Sequence, residues 1–301
     1  MRLLMAGLLN YREISAGRWR LLALPDQWSV DLQEQILELV RSSNQTRHPQ
    51  TVEAQLPVGG ETRIFYLKIF HPAQGILALK DLLRHSKAFR FWRQGIALGA
   101  SGFNVPLTIA VGEQRRYRLV QRGFVLTQRI DGRTLPDFLS RRGACCADQK
   151  TLRQKWQGIR SLGNLVRRFH RSGFVHGDLV ASNILVSQAA REDIEFYFMD
   201  NDRTRRLPTW LPQALWKRNL VQLNRLPLPG ISLQDRIRFL QAYLGAGKFS
   251  LADRKLAQWL EMKTRQRRKE CDGADPSGNF RKLMRWSPEL TATRNVSTKT
   301  G

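Results

Sequence analysis

The chain has 301 residues, 42% hydrophobic and 25% charged, enough apolar material for one large domain or two lobes with a sizeable core, which excludes a disordered chain. Its 50 lysines and arginines against 25 acidic residues leave a formal charge of +25, a surface that repels itself unless it faces phosphate, nucleic acid or an anionic bilayer. Cys145, Cys146 and Cys271 form no CxxC and no Cys/His spacing for zinc, so a reducing compartment and no structural metal are expected.

The opening "MRLLMAGLLN" is apolar but too short to span a bilayer and has no small-residue cleavage pattern after it. No later stretch reaches transmembrane length, so the protein is expected to stay soluble or to bind a membrane only at its surface. Residues 1–45 read as an N-terminal extension with one amphipathic helix in "DLQEQILELV", where Leu32, Ile36, Leu37, Leu39 and Val40 recur at helical spacing. "TVEAQLPVGGETRIFYLKIF" reads as a hairpin: Val52, Ala54 and Leu56 alternate, Gly59-Gly60 turns, and a return strand carries Lys68 on a definite face. "LKDLLRHSKAFRFWRQGIALGASGF" predicts a helix ending near Gly99 or Gly102, and "VPLTIAVGEQRRYRLVQRGFVLTQRI" two strands around a turn at Gly112. Residues 46–130 are therefore expected to form a small sheet with one helix.

After "DGRT" at 131–134 the character turns helical. "KTLRQKWQGIRSLGNLVRRFHRSG" predicts a long helix with Trp156, Ile159, Leu162, Leu165, Val166 and Phe169 inward and Gly173 at its end. "FVHGDLVASNILV" follows, then "IEFYFMDNDR", a short strand ending in acids, then helical, proline-punctuated sequence to about 245. Residues 131–264 form the second expected region, and 265–301, polar and basic, read as a flexible tail.

A strand-borne lysine, then a D-x-x-x-x-N loop in a helical region, then a strand ending in Asp is the arrangement that phosphoryl transfer from ATP requires. One carboxylate accepts the proton of the attacking hydroxyl, an amide and a second carboxylate hold magnesium with hard oxygens, and a cation holds the nucleotide phosphates. Asp178, Asn183, Asp200 and Lys68 occupy those roles in order. Asp and Asn also favour loops for local hydrogen bonding, but the order and spacing of this set outweigh a chance of Asx turns and caps. His176 reads as a structural residue of the loop. Asp202 stays open between a second metal or substrate ligand and a partner of Arg203 or Arg205. "GAGKFS" fails as a phosphate loop, because Ala242 stands where glycine is required and Phe249 follows Lys248. "LPTWLPQALWKR" reads as core or interface anchoring, which argues against nucleic acid as the partner.

"HGDLVASNIL" together with "FYFMDND" resembles the protein-kinase-like catalytic core, and in particular the lipopolysaccharide core kinase family, which phosphorylates 3-deoxy-manno-octulosonic acid (Kdo) or heptose. The resemblance covers roughly 46–245; "IDGRTLPDFL" and "RIRFLQAYL" also look familial. It implies an α+β, two-lobed, protein-kinase-like fold with a small antiparallel-sheet N-lobe and a larger helical C-lobe. It further implies Asp178 as catalytic, Lys68, Asn183 and Asp200 at the nucleotide, Asn183 and Asp200 on the metal, and ATP with Mg2+ as cofactors. Backbone groups near Thr127 to Ile130 would face adenine. The acceptor would be a sugar or anionic glycolipid, and the place of work the anionic cytoplasmic face of the inner membrane of a Gram-negative bacterium.

The chain departs from regulated protein kinases: Gly177 replaces their arginine, "DND" at 200–202 replaces D-F-G, and no A-P-E follows. Little chain separates Asp200 from "WLPQALWKRNL", which leaves no peptide-docking segment and favours a glycolipid or small-molecule acceptor over a protein. "RSSNQTRHP" contains no glycine to cover phosphates, and "HSKAFRFWRQG" contains no Glu to pair with Lys68. Three rival readings follow: a pseudokinase that binds a membrane or partner without turnover, a basic nucleic-acid-binding protein, and an aminoglycoside-type or other small-molecule kinase.

Overall fold

Apolar alternation in the first 130 residues builds a six-stranded antiparallel sheet. Its strands are β1 (Arg12–Ala16), β2 (Trp19–Ala23), β3 (Gln50–Val58), β4 (Glu61–Phe70), β5 (Thr108–Arg116) and β6 (Leu119–Gln128), in the order β1-β2-β5-β6-β4-β3. The computed structural model describes residues 10–43, 50–58, 61–72, 84–142, 149–188, 194–208, 210, 214–225 and 230–273. It divides into one unit of 1–131 with 198–204, and a second of 132–197 with 205–301.

Each face of the sheet is covered by one helix. Helix α1 (Val30–Ser42) is capped by Ser29, whose hydroxyl accepts from the Leu32 amide, and it buries Leu32, Ile36, Leu37 and Val40. These pack with Trp19, Leu21, Phe65, Leu67, Ile69 and Phe124. The helix predicted from the spacing of those apolar residues is present, although Leu39 stays exposed. Helix α2 (Lys87–Gly99) places Ala88, Phe89, Phe91 and Trp92 against Phe70, Val111 and Val125. Period-two alternation along β4 sends Leu67 and Ile69 toward α1, so Lys68, in register with Val125, belongs to the α2 side.

Two sequence expectations for this unit change. Residues 12–23, assigned to an extension, form a hairpin whose second strand is hydrogen-bonded to β5, with Trp19 opposite Gln114 and Ala23 opposite Ala110. Trp19, Leu21 and Ala23 alternate inward there, which makes β1 and β2 part of the sheet. Gly112 lies within β5, where a Cβ would run into the Phe124 ring and the Leu21 side chain; the turn falls at Tyr117 and Arg118. The Gly59-Gly60 turn and residues 44–49 of the nucleotide-covering stretch lie outside the described residues.

The second unit is mainly helical: α3 (Leu135–Arg142), α4 (Gln149–Arg171), α5 (Ala214–Leu223), α6 (Leu233–Leu244) and α7 (Leu251–Gly273). Of the expected inner face of α4, Ile159, Leu162, Val166 and Phe169 are buried, while Trp156 and Leu165 are half-buried. Gly163 gives α6 its close approach, since a Cβ there would strike the Phe239 carbonyl and Ala242. Lys155, buried on the same helix, reaches Asp235 at 2.7 Å, and Asp235 also forms a capping box with Ser232 at the start of α6. Gly173 ends α4 with φ 83° and Gly245 ends α6 with φ 68°, the left-handed geometry that glycine adopts without strain. Helix α7 continues to Gly273, so residues 265–273, expected as part of a flexible tail, are helical; Arg268 ties α7 to the Asn224 and Arg225 carbonyls. Residues 274–301, with Cys145 and Cys146, lie outside the described residues.

Short strands frame the loop of interest. β7 (Arg133–Thr134), β9 (Ile184–Gln188) and β10 (Ile194–Phe198) form a three-stranded sheet, and β8 (Phe174–Val175) pairs with β11 (Arg205–Arg206).

Candidate active site

The alternation of apolar and polar residues in "FVHGDLVASNILV" has a direct structural meaning. Phe174, Leu179, Val180, Ala181 and Ile184 are buried and hold the loop from both sides, while Asp178 and Asn183 remain only partly covered. His176, 1% exposed, accepts the Asp178 amide on Nδ1 at 3.1 Å. The Asp178 carbonyl accepts the Val180 amide at 2.9 Å and the Asn183 side-chain nitrogen at 3.0 Å. That commits the nitrogen of Asn183, so a hard cation would be met by its side-chain oxygen.

Helix α5 supplies two residues that the sequence reading missed. Asn219, 1% exposed, clasps the His176 backbone, accepting its N–H at 3.0 Å and donating to its carbonyl at 2.6 Å. Gln222 accepts from Asn219 at 3.0 Å and donates to the Gly177 carbonyl at 3.3 Å and to Asp178 Oδ1 at 3.4 Å. The signal was present: two amides three apart share one helix face in "NLVQ", and a buried amide requires partners.

His170 completes this network. Its Nε2 lies 3.3 Å from Asn219 Oδ1, which only accepts, so Nε2 carries the proton and Nδ1 accepts from the Tyr243 hydroxyl at 2.9 Å. Burial drives its pKa down to about 4, against a smaller upward pull from Asn219. The folded state therefore binds fewer protons than the unfolded chain between pH 6.5 and 4, and stability falls as pH falls through that window. Between about pH 7 and pH 5 the loss from this one group is expected to be roughly 2 kcal/mol. Urea midpoints of the parent and His170→Leu at both pH values check it: the variant starts less stable but lacks this part of the pH slope, and equal slopes would contradict the assignment.

In the first unit, Lys68 Nζ lies 2.5 Å from Asp200 Oδ1. This supplies the carboxylate partner that α2 lacks, since "KAFRFWRQGIALG" contains no acid and presents Phe91 instead. Phe91 and Phe70 stand at 5.6 and 5.5 Å from the ammonium, in cation–π range. Asp200 has φ 54° and ψ 53°, a left-handed backbone rare outside glycine and concentrated at functional sites. Its surroundings hold it there. Asn201, 1% exposed, donates to the Phe198 carbonyl at 2.9 Å, the Phe198 amide donates to the Asn104 carbonyl at 3.0 Å, and Phe198 meets Phe103 edge-on.

Asp202 joins this group. Burial foremost, and then the charge of Asp200, push its pKa up, with Lys68 opposing. Like charges confined beside one lysine, with oxygen donors only, are what a magnesium ion relieves, so Asp200 and Asp202 are chemically fit to hold one. Among the described residues no group of three or more His, Cys, Asp or Glu side chains is placed to hold a metal ion. In the segment expected to face adenine, the amides of Gln128 and Arg129 bond to the carbonyls of Leu107 and Ile64, and Thr127 Oγ1 donates to the Tyr66 carbonyl. Lys68, Asp200 and Asp202 stand in the first unit; Asp178, Asn183 and the amides that hold the loop stand in the second.

The family model described as lipopolysaccharide kinase (Kdo/WaaP) family matches residues 31–243. A 3-deoxy-D-manno-octulosonic acid kinase of Xylella fastidiosa (strain 9a5c) is 31% identical over 138 residues, which are 46% of this chain and 47% of the relative. The match thus spans about half the length of that relative. The solved structure of WaaP in complex with acyl carrier protein superposes with a TM-score of 0.56 at 19% identity, over 76% of this chain and 91% of the other. That likeness carries the fold, and with it the expected α+β, kinase-like class.

Proposed function

The chain belongs to the lipopolysaccharide kinase (Kdo/WaaP) family, and from that premise we propose that it transfers the γ-phosphoryl group of ATP to a hydroxyl of Kdo in the lipopolysaccharide inner core. The observation that carries the reading is the ion pair between strand-borne Lys68 and Asp200, in a chain whose Asp178 loop is fastened at both backbone and carboxylate. The choice of Kdo over heptose leans on the named activity of the Xylella relative. Lys68's pairing with a carboxylate supports the active reading over the pseudokinase, although α2 supplies no acid.

In this mechanism Asp178 takes the proton of the acceptor hydroxyl as its oxygen bonds to the γ-phosphorus and the bond to the bridging oxygen of ADP breaks. Gln222 fixes one oxygen of that carboxylate and leaves the other to face the acceptor. Lys68 lends positive charge to the phosphates. Asp200 and Asn183 are the residues that would offer hard oxygens to magnesium, which would supply charge neutralisation at the phosphate oxygens. Among the described residues no helix is long and apolar enough to cross a membrane. The charge of +25 supports peripheral attachment to an anionic surface, the cytoplasmic face of the inner membrane, where the glycolipid acceptor would be met.

Labelled ATP offered in parallel to Kdo-containing core, heptose-containing core, protein substrates and a free aminoglycoside tests the acceptor. Label is expected on the Kdo-containing core. Label on a protein or the antibiotic alone would overturn the acceptor while leaving phosphotransfer in place.

A further inference from the structure

One end of the first unit's sheet carries charge for which phosphoryl transfer has no use. Lys68 is in register with Val125 of β6, while the turn that precedes β6 stands before Leu119, roughly 20 Å back along the strand. Because β2 pairs with β5, the β1–β2 turn at Gly17 and Arg18 falls at the same end. A cavity there is lined by Arg18, Arg20, Arg84, His85, Arg115 and Arg118, and Glu113 is the acid in its wall. Glu113 is already held by Arg115 at 2.9 Å, and Arg20 is taken by Glu13 at 2.7 Å. Arg18, Arg84 and Arg118, all exposed, have no ion-pair partner among the described residues. Gathering these guanidinium groups costs repulsion that an external polyanion would remove.

The hairpin tip beside the cavity gives a second, independent indication. Tyr117 and Arg118 have φ 50° and 65°, the backbone of a two-residue turn that Asn-Gly forms with little strain. The chain places an aromatic and an arginine there instead. Tyr117 is 82% exposed, with the Arg116 guanidinium 5.4 Å from its ring centroid. An amphipathic ring among arginines suits the boundary between lipid headgroups and acyl chains. Nucleic acid fits less well, because a single tyrosine provides no series of rings on which successive bases stack.

We propose that this end of the sheet is a docking surface for an anionic bilayer, with Arg18, Arg118 and their neighbours meeting lipid phosphates and Tyr117 entering the interface. The inference names the surface for the membrane attachment proposed above and rests on that reading. The test is co-sedimentation of the full chain with vesicles of phosphatidylcholine alone and with about one-third phosphatidylglycerol. The parent is expected to sediment with the anionic vesicles only, and less as salt rises. Arg18→Glu with Arg118→Glu should weaken partitioning by about 10-fold or more, the milder Arg18→Gln with Arg118→Gln by less, and Tyr117→Ser measurably. A charge-matched control on α7, Lys255→Glu with Lys269→Glu, should retain most of the binding, and all variants should phosphorylate a water-soluble Kdo acceptor at the parent rate.

Equal losses from both reversal pairs would show that total charge, and not this surface, drives attachment, and would overturn the proposal. So would parent-like binding by the Arg18/Arg118 reversal, or single-stranded RNA that excess anionic vesicles fail to displace. A parent that ignores anionic vesicles would remove the membrane attachment itself along with its surface, and the soluble-acceptor assay reports separately on the kinase reading.

Discussion

Asp178→Asn is expected to slow phosphate transfer by about 10²- to 10⁴-fold while ATP affinity stays close to that of the parent, because a general base contributes to the chemical step without holding the nucleotide. The structure makes this substitution a clean one. The backbone of residue 178 is fixed by His176 and by Asn183, and the Gln222 donor would meet an amide oxygen as it now meets Oδ1. Shape is kept and proton acceptance is lost. Single-turnover rates with a parallel ATP titration measure both quantities, and activity within twofold of the parent would remove Asp178 from the proposed role.

Asp200→Asn should abolish the magnesium dependence of ATP binding and lower kcat/KM by about 10²-fold or more, since one substitution removes both the proposed anionic ligand of the metal and the partner of Lys68. Asparagine is the informative replacement because it tolerates the left-handed backbone of this position, so the loss reports on charge. Asp202 would be relieved of its like-charged neighbour, and its carboxyl would ionise more readily. Magnesium titrations of ATP binding that match the parent would rule out this strand end as the metal site.

The parts of the molecule legible in the sequence are those written in local patterns. The Lys68 strand, helix α1 and the apolar flanks of the Asp178 loop each follow from a period of two or 3.6, or from a short motif. What stayed hidden depends on residues far apart in the chain. Asp200 lies 132 positions from the lysine it meets, and Asn219 lies 43 from the histidine backbone it clasps. The β1–β2 hairpin was missed because its strands are five residues long and interrupted by arginines, although Trp19, Leu21 and Ala23 alternate. Gly112 looked like a turn because its true cause, the Phe124 ring occupying its Cβ position from the next strand, is a tertiary fact. The turn that does exist uses Tyr117 and Arg118, which carry no turn signal. The charged sequence beyond 265 resembled a tail, yet Arg268 capping the end of α5 needs a helix to project from.

Phosphate transfer from ATP to a Kdo hydroxyl is the reaction we propose for this chain. Mass spectrometry of purified Kdo-containing lipid core, incubated with the protein, ATP and magnesium beside an Asp178→Asn control, tests it most directly. The expected result is one added phosphate whose fragment ions place it on the Kdo residue, present with the parent and absent with the control. Core that returns unchanged from the parent reaction, or phosphate found on heptose instead, would contradict it.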